Sequence, residues 1–140
     1  MAKNKKATEK KDRKVILSTL WIFVLLNYLY CDYVGLIDPN LLKQILTGTI
    51  EGGIQLTEGF ILGASILMEI PIAMVLLSRV LKYKVNRWAN IIVGAIHTVA
   101  VFASMFGTPP ALYYIFHGTI EVACTLLIVW YAWKWPKQEA

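Results

Sequence analysis

Four long apolar runs alternate with short polar segments along the chain: Val15 to Ile37, Ile54 to Leu81, Trp88 to Phe106 and Ala111 to Trp133. A membrane-crossing helix needs about 20 mostly apolar residues, and each run supplies them. None has the polar outer shell that a water-soluble helix would need. The first run follows a basic segment, as a signal sequence would, but it is too long for that role and no small-residue cleavage pattern follows it.

The connections carry their own signals. In residues 38–53, Asp38 stands where it caps a helix with Pro39 at the first position. Leu41, Leu42, Ile45 and Leu46 then recur at helical spacing, which predicts a short helix lying at the membrane surface. Gly48, Gly52 and Gly53 permit the turn back into the second span. Before the fourth span, Gly107, Thr108, Pro109 and Pro110 predict a tight turn, with Thr108 as N-cap and Pro109 opening the helix. The fold class expected is all-α: a polytopic membrane protein whose transmembrane domain, residues 15–135, is a four-helix bundle. A basic tail (1–14) precedes it and a short tail (136–140) follows.

Composition narrows the class further. Of the 140 residues, 57% are hydrophobic and 16% charged, against about half and a quarter in soluble proteins. This disfavours a soluble enzyme domain and excludes a disordered chain. The net charge of +5 does not make a nucleic-acid binder, because no single face collects the basic residues. Thirteen of the fourteen Lys and Arg lie in residues 1–14, in the turn from Arg79 to Arg87, or after Trp133; Lys43 is the exception. The positive-inside rule then places both termini in the cytoplasm, which agrees with an even number of spans. A multi-pass protein of a prokaryotic inner membrane is expected. Trp88, Trp130, Trp133 and Trp135 lie toward the cytoplasmic ends, and Tyr28, Tyr30, Tyr33, Tyr113 and Tyr114 toward the outer ends, as interfacial belts.

Ionisable groups at membrane depth are costly and usually face the interior of a bundle. Asp32, Glu58, Glu69, His97, His117 and Glu121 are of this kind, with Asn27 beside them. Glu58, Ser65 and Glu69 share one helical face; Asn90, His97 and Ser104 repeat every seven residues; His117 and Glu121 are one turn apart and within reach of each other. Tyr28 and Asp32 share a face of the first span. The expectation is that all four polar stripes meet in one interior. At 1.5 Å per residue they form a ladder. Asp32, Glu58 and His117 stand near the outer mouth, Asn27 and Glu121 below, and Glu69 and His97 deepest. Pro71 should release the carbonyl of Leu67 beside Glu69.

Each candidate has a plainer reading. Glu69 and the His117–Glu121 pair either bind a ligand or proton, or act as acid–base groups (His117 with Glu121, or Glu69 with His97), or hold helices together, and His97 divides the same way. Asp32 either lines a site or faces headgroup water. Glu58 sits where a helix N-terminus favours an anion, and Asn27 can serve as helix–helix glue. No CxxC, HExxH or dense His cluster occurs, so neither a metal nor another cofactor is expected; Cys31 and Cys124 read as small buried side chains. Ser65 lacks the setting of a nucleophile. Gly59 and Gly63 let a neighbouring helix approach closely, within the bundle or in a dimer, and Gly94 and Gly118 serve similarly.

The segments LSTLWIFVLLNYLYCD (Leu17–Asp32), LIDP (Leu36–Pro39) and ILMEIPIAMVLLSR (Ile66–Arg79) resemble a prokaryotic family of small four-span membrane proteins catalogued as a domain of unknown function. Size and layout also resemble, more loosely, DoxX-like membrane proteins. Neither resemblance implies a catalytic residue. Three functions remain open. The first is a membrane module that binds or conducts a small polar or lipid-like ligand or protons through the polar interior, with a homodimer expected if it transports. The second is a membrane-embedded, isomerase-like acid–base enzyme acting on a lipid-like substrate. The third is a structural or accessory protein. The partners expected are membrane lipid, such a ligand and a second copy, and no nucleic acid.

Overall fold

The computed structural model describes residues 2–50, 52–106 and 111–136, with side chains from residue 12 onward. The elements run α1 (Ala2–Ile37), α2 (Pro39–Thr47), β1 (Thr49–Ile50), β2 (Ile54–Gln55), α3 (Glu58–Val80), α4 (Tyr83–Ser104) and α5 (Leu112–Trp133). Four of these helices are long and apolar enough to cross a membrane: α1 from Asp12, α3, α4 and α5. The protein is therefore helical with four candidate spans. One end of the bundle carries the α3–α4 turn and the described terminal residues (the terminal end); the other carries α2 and the β1–β2 hairpin (the hairpin end).

Local chemistry accounts for most boundaries. Asp38 accepts a hydrogen bond from the Asn40 amide at 2.9 Å and Pro39 opens α2. Gly48 closes α2 in the left-handed region at φ 73°, where glycine meets no side-chain penalty. Gly52 and Gly53, also at positive φ, turn the hairpin that pairs Ile50 with Ile54. Two expected boundaries move. The second span begins at Glu58, capped by Thr57, because Ile54 and Gln55 form β2. The third begins at Tyr83 rather than Trp88. Tyr83 packs edge-on against Trp135 and donates to its carbonyl at 2.9 Å, which holds that first turn. In the fourth span Ala111 occupies the N-cap position with no side-chain bond; the expected Thr108 cap and Pro109 lie outside the described residues. Helix α1 continues back through the basic segment to Ala2.

In space the helices follow the order α3, α1, α5, α4, and α3 touches α4 only sparingly. Leu17, Trp21, Val24 and Tyr28 present one buried face of α1, packed with Met74 of α3 and Cys124, Ile128 and Ala132 of α5. Helices α4 and α5 pack tightly at Gly94, where an added Cβ would stand 2.8 Å from Val129 Cγ2. The hydroxyls of Thr98 and Thr125 lie 2.8 Å apart across the same contact. Helix α3 buries Pro71, Met74 and Ser78, all toward the terminal end. Its residues from Glu58 to Ile70 are exposed except Leu67, which is half-buried.

Candidate functional site

The polar interior is divided into two layers of different character. The layer nearer the terminal end is closed and satisfied. Trp21 Nε1 donates to Asn90 Oδ1 at 2.7 Å, and Ser78 Oγ donates to the same oxygen at 3.2 Å. Asn90 Nδ2 lies 2.7 Å from Asn86 Oδ1, and Asn86 Nδ2 donates to the Ser78 carbonyl at 2.6 Å. Ser18 Oγ donates to the Val75 carbonyl at 2.8 Å and lies 3.1 Å from Arg79 Nε. Three helices, α1, α3 and α4, are tied together here with their donors and acceptors matched, as buried polar groups require.

The layer toward the hairpin end is not satisfied. His97 Nε2 and Glu121 Oε1 are buried and have no hydrogen-bond partner among the described residues. Both side chains line one open cleft of about 210 Å³, together with Tyr28, Cys31, Asp32, Ser104 and Tyr114. Leu67 and Met68 of α3 and Ala100 and Val101 of α4 supply its apolar wall, so the cleft lies where those two helices separate. Tyr28 Oη is 3.5 Å from His97 Nδ1, and the two rings tilt together at 6.0 Å. Tyr114 Oη donates to Ser104 Oγ at 2.7 Å. Asp32 and Glu121 bring two carboxyls into electrostatic reach of each other.

Helix α3 adds a main-chain group. Pro71 lacks an N–H, so the Leu67 carbonyl has no partner one turn on in α3. That carbonyl faces the His97 ring without completing a hydrogen bond to Nε2. The carbonyl that Pro71 is expected to release therefore lies beside His97.

The expected single interior needs correction. His97, Glu121 and Asp32 come together, but Glu58, Ser65 and Glu69 do not join them, because all three are exposed on the far side of α3. The helix turns Met74 and Ser78 inward, and at about 100° per residue Glu69 then points almost directly away. The ladder also shortens. Because α4 starts five residues early, His97 lies about 7.5 Å further along than expected and reaches the level of Glu121. No hydrogen bond joins His117 to Glu121 among the described residues. His117 is buried with its Nδ1 unpartnered, and its ring meets Tyr30 edge-on at 5.5 Å. Asn27 donates to the Phe23 carbonyl of its own helix at 3.0 Å and, among the described residues, reaches no other helix. Ser104, expected inside, is exposed at the cleft rim. Among the described residues no three His, Cys, Asp or Glu side chains converge to hold a metal ion.

The comparisons with known proteins speak to family and not to activity. A family model described as a family of unknown function, DUF6326, matches residues 5–140. The chain belongs to DUF6326. No curated protein matches it, and no solved structure does. Membership supports the resemblance to a family of small multi-span membrane proteins without an assigned function, and lends none to the DoxX-like likeness. In this DUF6326 chain several site residues carried little signal in the sequence. Tyr114 read as an interfacial belt residue, and Tyr28 as one that also shares the face of Asp32. Ser18, Ser78 and Asn86 are short polar residues that any span tolerates. The seven-residue interval from Asn90 to His97 was the signal that linked the two layers.

Proposed function

We propose that this DUF6326 protein binds a small lipid-like amphiphile at the cleft, with the ligand's polar end between Glu121 and His97. The observation that carries this reading is a pair of buried, unpartnered polar atoms, His97 Nε2 and Glu121 Oε1, lining the same cleft. An unmatched buried polar atom costs about 1–3 kcal/mol, so a ligand that matches both recovers that cost. The site is rich in acceptors. Asp32, Glu121 and the Leu67 carbonyl, which α3 leaves without an amide partner, favour a ligand end that carries N–H or O–H donors. A cleft of about 210 Å³ has room for a polar head but not for a whole lipid. The apolar remainder lies along Leu67, Met68, Ala100 and Val101, where α3 and α4 part toward the bilayer.

In this reading the basic terminal end faces the cytoplasm of a prokaryotic cell, in accord with the positive-inside rule, and the cleft occupies the outer half of the membrane. The accessory reading accounts for the satisfied layer around Asn90 but leaves the orphaned atoms of the cleft without a purpose. Native mass spectrometry of protein released from membranes in mild detergent tests the proposal. A small-molecule adduct is expected on the unmodified protein, lost in Glu121→Ala and in His97→Ala and kept in Glu69→Gln. Identical spectra for the unmodified protein and both cleft variants would refute it. Proteoliposomes carrying Glu121→Gln separate ligand binding from proton passage, since only a proton-conducting protein would show uptake that this change abolishes.

A further inference from the structure

Helix α3 is the span the chain covers least. Of its most apolar stretch 11% is buried, against 22–33% for the other three. Its outward face is not uniformly apolar. Glu58, Leu62, Ser65, Glu69, Ile72 and Leu76 follow at steps of four, three, four, three and four, and all are exposed. That is the a/d rhythm of a helix–helix seam, on the side opposite the bundle.

Glu69 gives the seam its meaning. It stands midway between Glu58 and Val80, the ends of α3, and so near the middle of the bilayer. Three hydroxyls on outward faces are satisfied within their own helices. Thr19 Oγ1 donates to the Val15 carbonyl at 2.9 Å, Ser65 Oγ to Ile61 at 2.8 Å and Thr119 Oγ1 to Ile115 at 2.7 Å. Glu69 has no such bond among the described residues. A carboxyl facing acyl chains at that depth is among the costliest arrangements in a membrane protein, and lipid tails cannot satisfy it.

We propose that this face of α3 is covered by α3 of a second copy, in a two-fold dimer whose axis runs along the membrane normal. Two copies with the same topology bring their α3 helices together in parallel and in register, so each seam residue meets its own counterpart. Glu69 suits that geometry. A carboxylic acid group both donates and accepts, so two Glu69 side chains meeting across the seam need no different partner. A single polar residue at an a position is also the usual device for fixing register and stoichiometry. The seam lies on the opposite side of α3 from the cleft, so this proposal and the ligand proposal stand or fall separately.

The test is oxidative cross-linking in native membranes, with Cys31 and Cys124 replaced by Ala. Leu76→Cys lies on the seam and faces lipid in the single chain, so the change leaves the bundle intact. It is expected to give a covalent homodimer, while Leu126→Cys on the outward face of α5 stays monomeric. Failure of Leu76→Cys to exceed that control, or a covalent adduct with a different protein, would overturn the proposal. Association measured by energy transfer in liposomes supplies the second reading. Glu69→Leu is expected to weaken the dimer roughly tenfold, the scale of one interhelical hydrogen bond in a membrane, and Glu69→Gln to retain it. Unchanged association in Glu69→Leu would remove the carboxyl pair from the interface and with it the proposed register.

Discussion

At the scale of single residues, stability and binding make opposite demands on the two polar layers. Asn90 accepts from Trp21 and Ser78 and approaches Asn86, so Asn90→Leu strands two buried donors. The expected loss is about 1–3 kcal/mol, toward the lower part of that range because a chain unfolded within the membrane also finds polar partners. Thermal unfolding in detergent measures it. Asn27→Leu, which removes a bond to the same helix, should stay within about 0.5 kcal/mol of the unmodified protein. The cleft should behave in the reverse sense. Glu121 is buried with an unpartnered oxygen, so Glu121→Met relieves an unmatched group and is expected to raise the melting temperature of the ligand-free protein. A fall comparable to that of Asn90→Leu would mean that Glu121 is a structural residue. Such a trade, stability given up where a site must stay unsatisfied, is common at functional positions.

At the scale of elements, glycines distinguish the tight contact from the open face. Gly94→Ala places a methyl 2.8 Å from Val129 Cγ2 and 3.4 Å from the Thr125 carbonyl. Either Val129 turns aside or the α4–α5 pair parts, at a cost of about 1–3 kcal/mol for overpacking. Gly63→Ala meets nothing within 4 Å and should be neutral or slightly stabilising, since alanine favours a helix by about 1 kcal/mol over glycine. Melting curves of the two variants decide the matter. The same contrast shows what the sequence could express. Asp38–Pro39, Gly48 and the four apolar runs act through neighbouring residues, and α2, its caps and the four candidate spans were legible from them. Which face of α3 turns inward was not. In a membrane the core and the lipid are equally apolar, so only the polar stripe of Glu58, Ser65 and Glu69 marked a face, and a stripe does not say whether its partner is the same chain or another. Tyr83 was hidden for a different reason: the Lys and Arg around it have the composition of a loop, while the contact that makes it helical lies 52 residues away at Trp135.

At the scale of the whole molecule, the basic terminal end serves two separable purposes. Helix C-termini carry partial negative charge and unpaired carbonyls. Lys14 Nζ donates to the carbonyls of Arg79 and Leu81 at 3.1 and 2.6 Å, closing α3. Arg87 donates to the carbonyls of Ala132 and Trp133 at 3.2 and 3.0 Å, closing α5. Lys14→Gln should therefore loosen the end of α3 without turning the protein over, because most of the Lys and Arg on that side remain to hold its orientation. Orientation itself is open to direct measurement. On a background without Cys31 and Cys124, Thr49→Cys in β1 and Lys84→Cys at the start of α4 mark opposite ends, and both positions are exposed. A membrane-impermeant thiol reagent added to intact cells should label Thr49→Cys at once and Lys84→Cys only after permeabilisation. The labels then fix which half of the bilayer holds the cleft. With Thr49 outside, His97 and Glu121 open toward the outer leaflet, so an amphiphile reaching them laterally comes from that leaflet; the opposite labelling would make the inner leaflet its source and set the positive-inside rule aside for this chain.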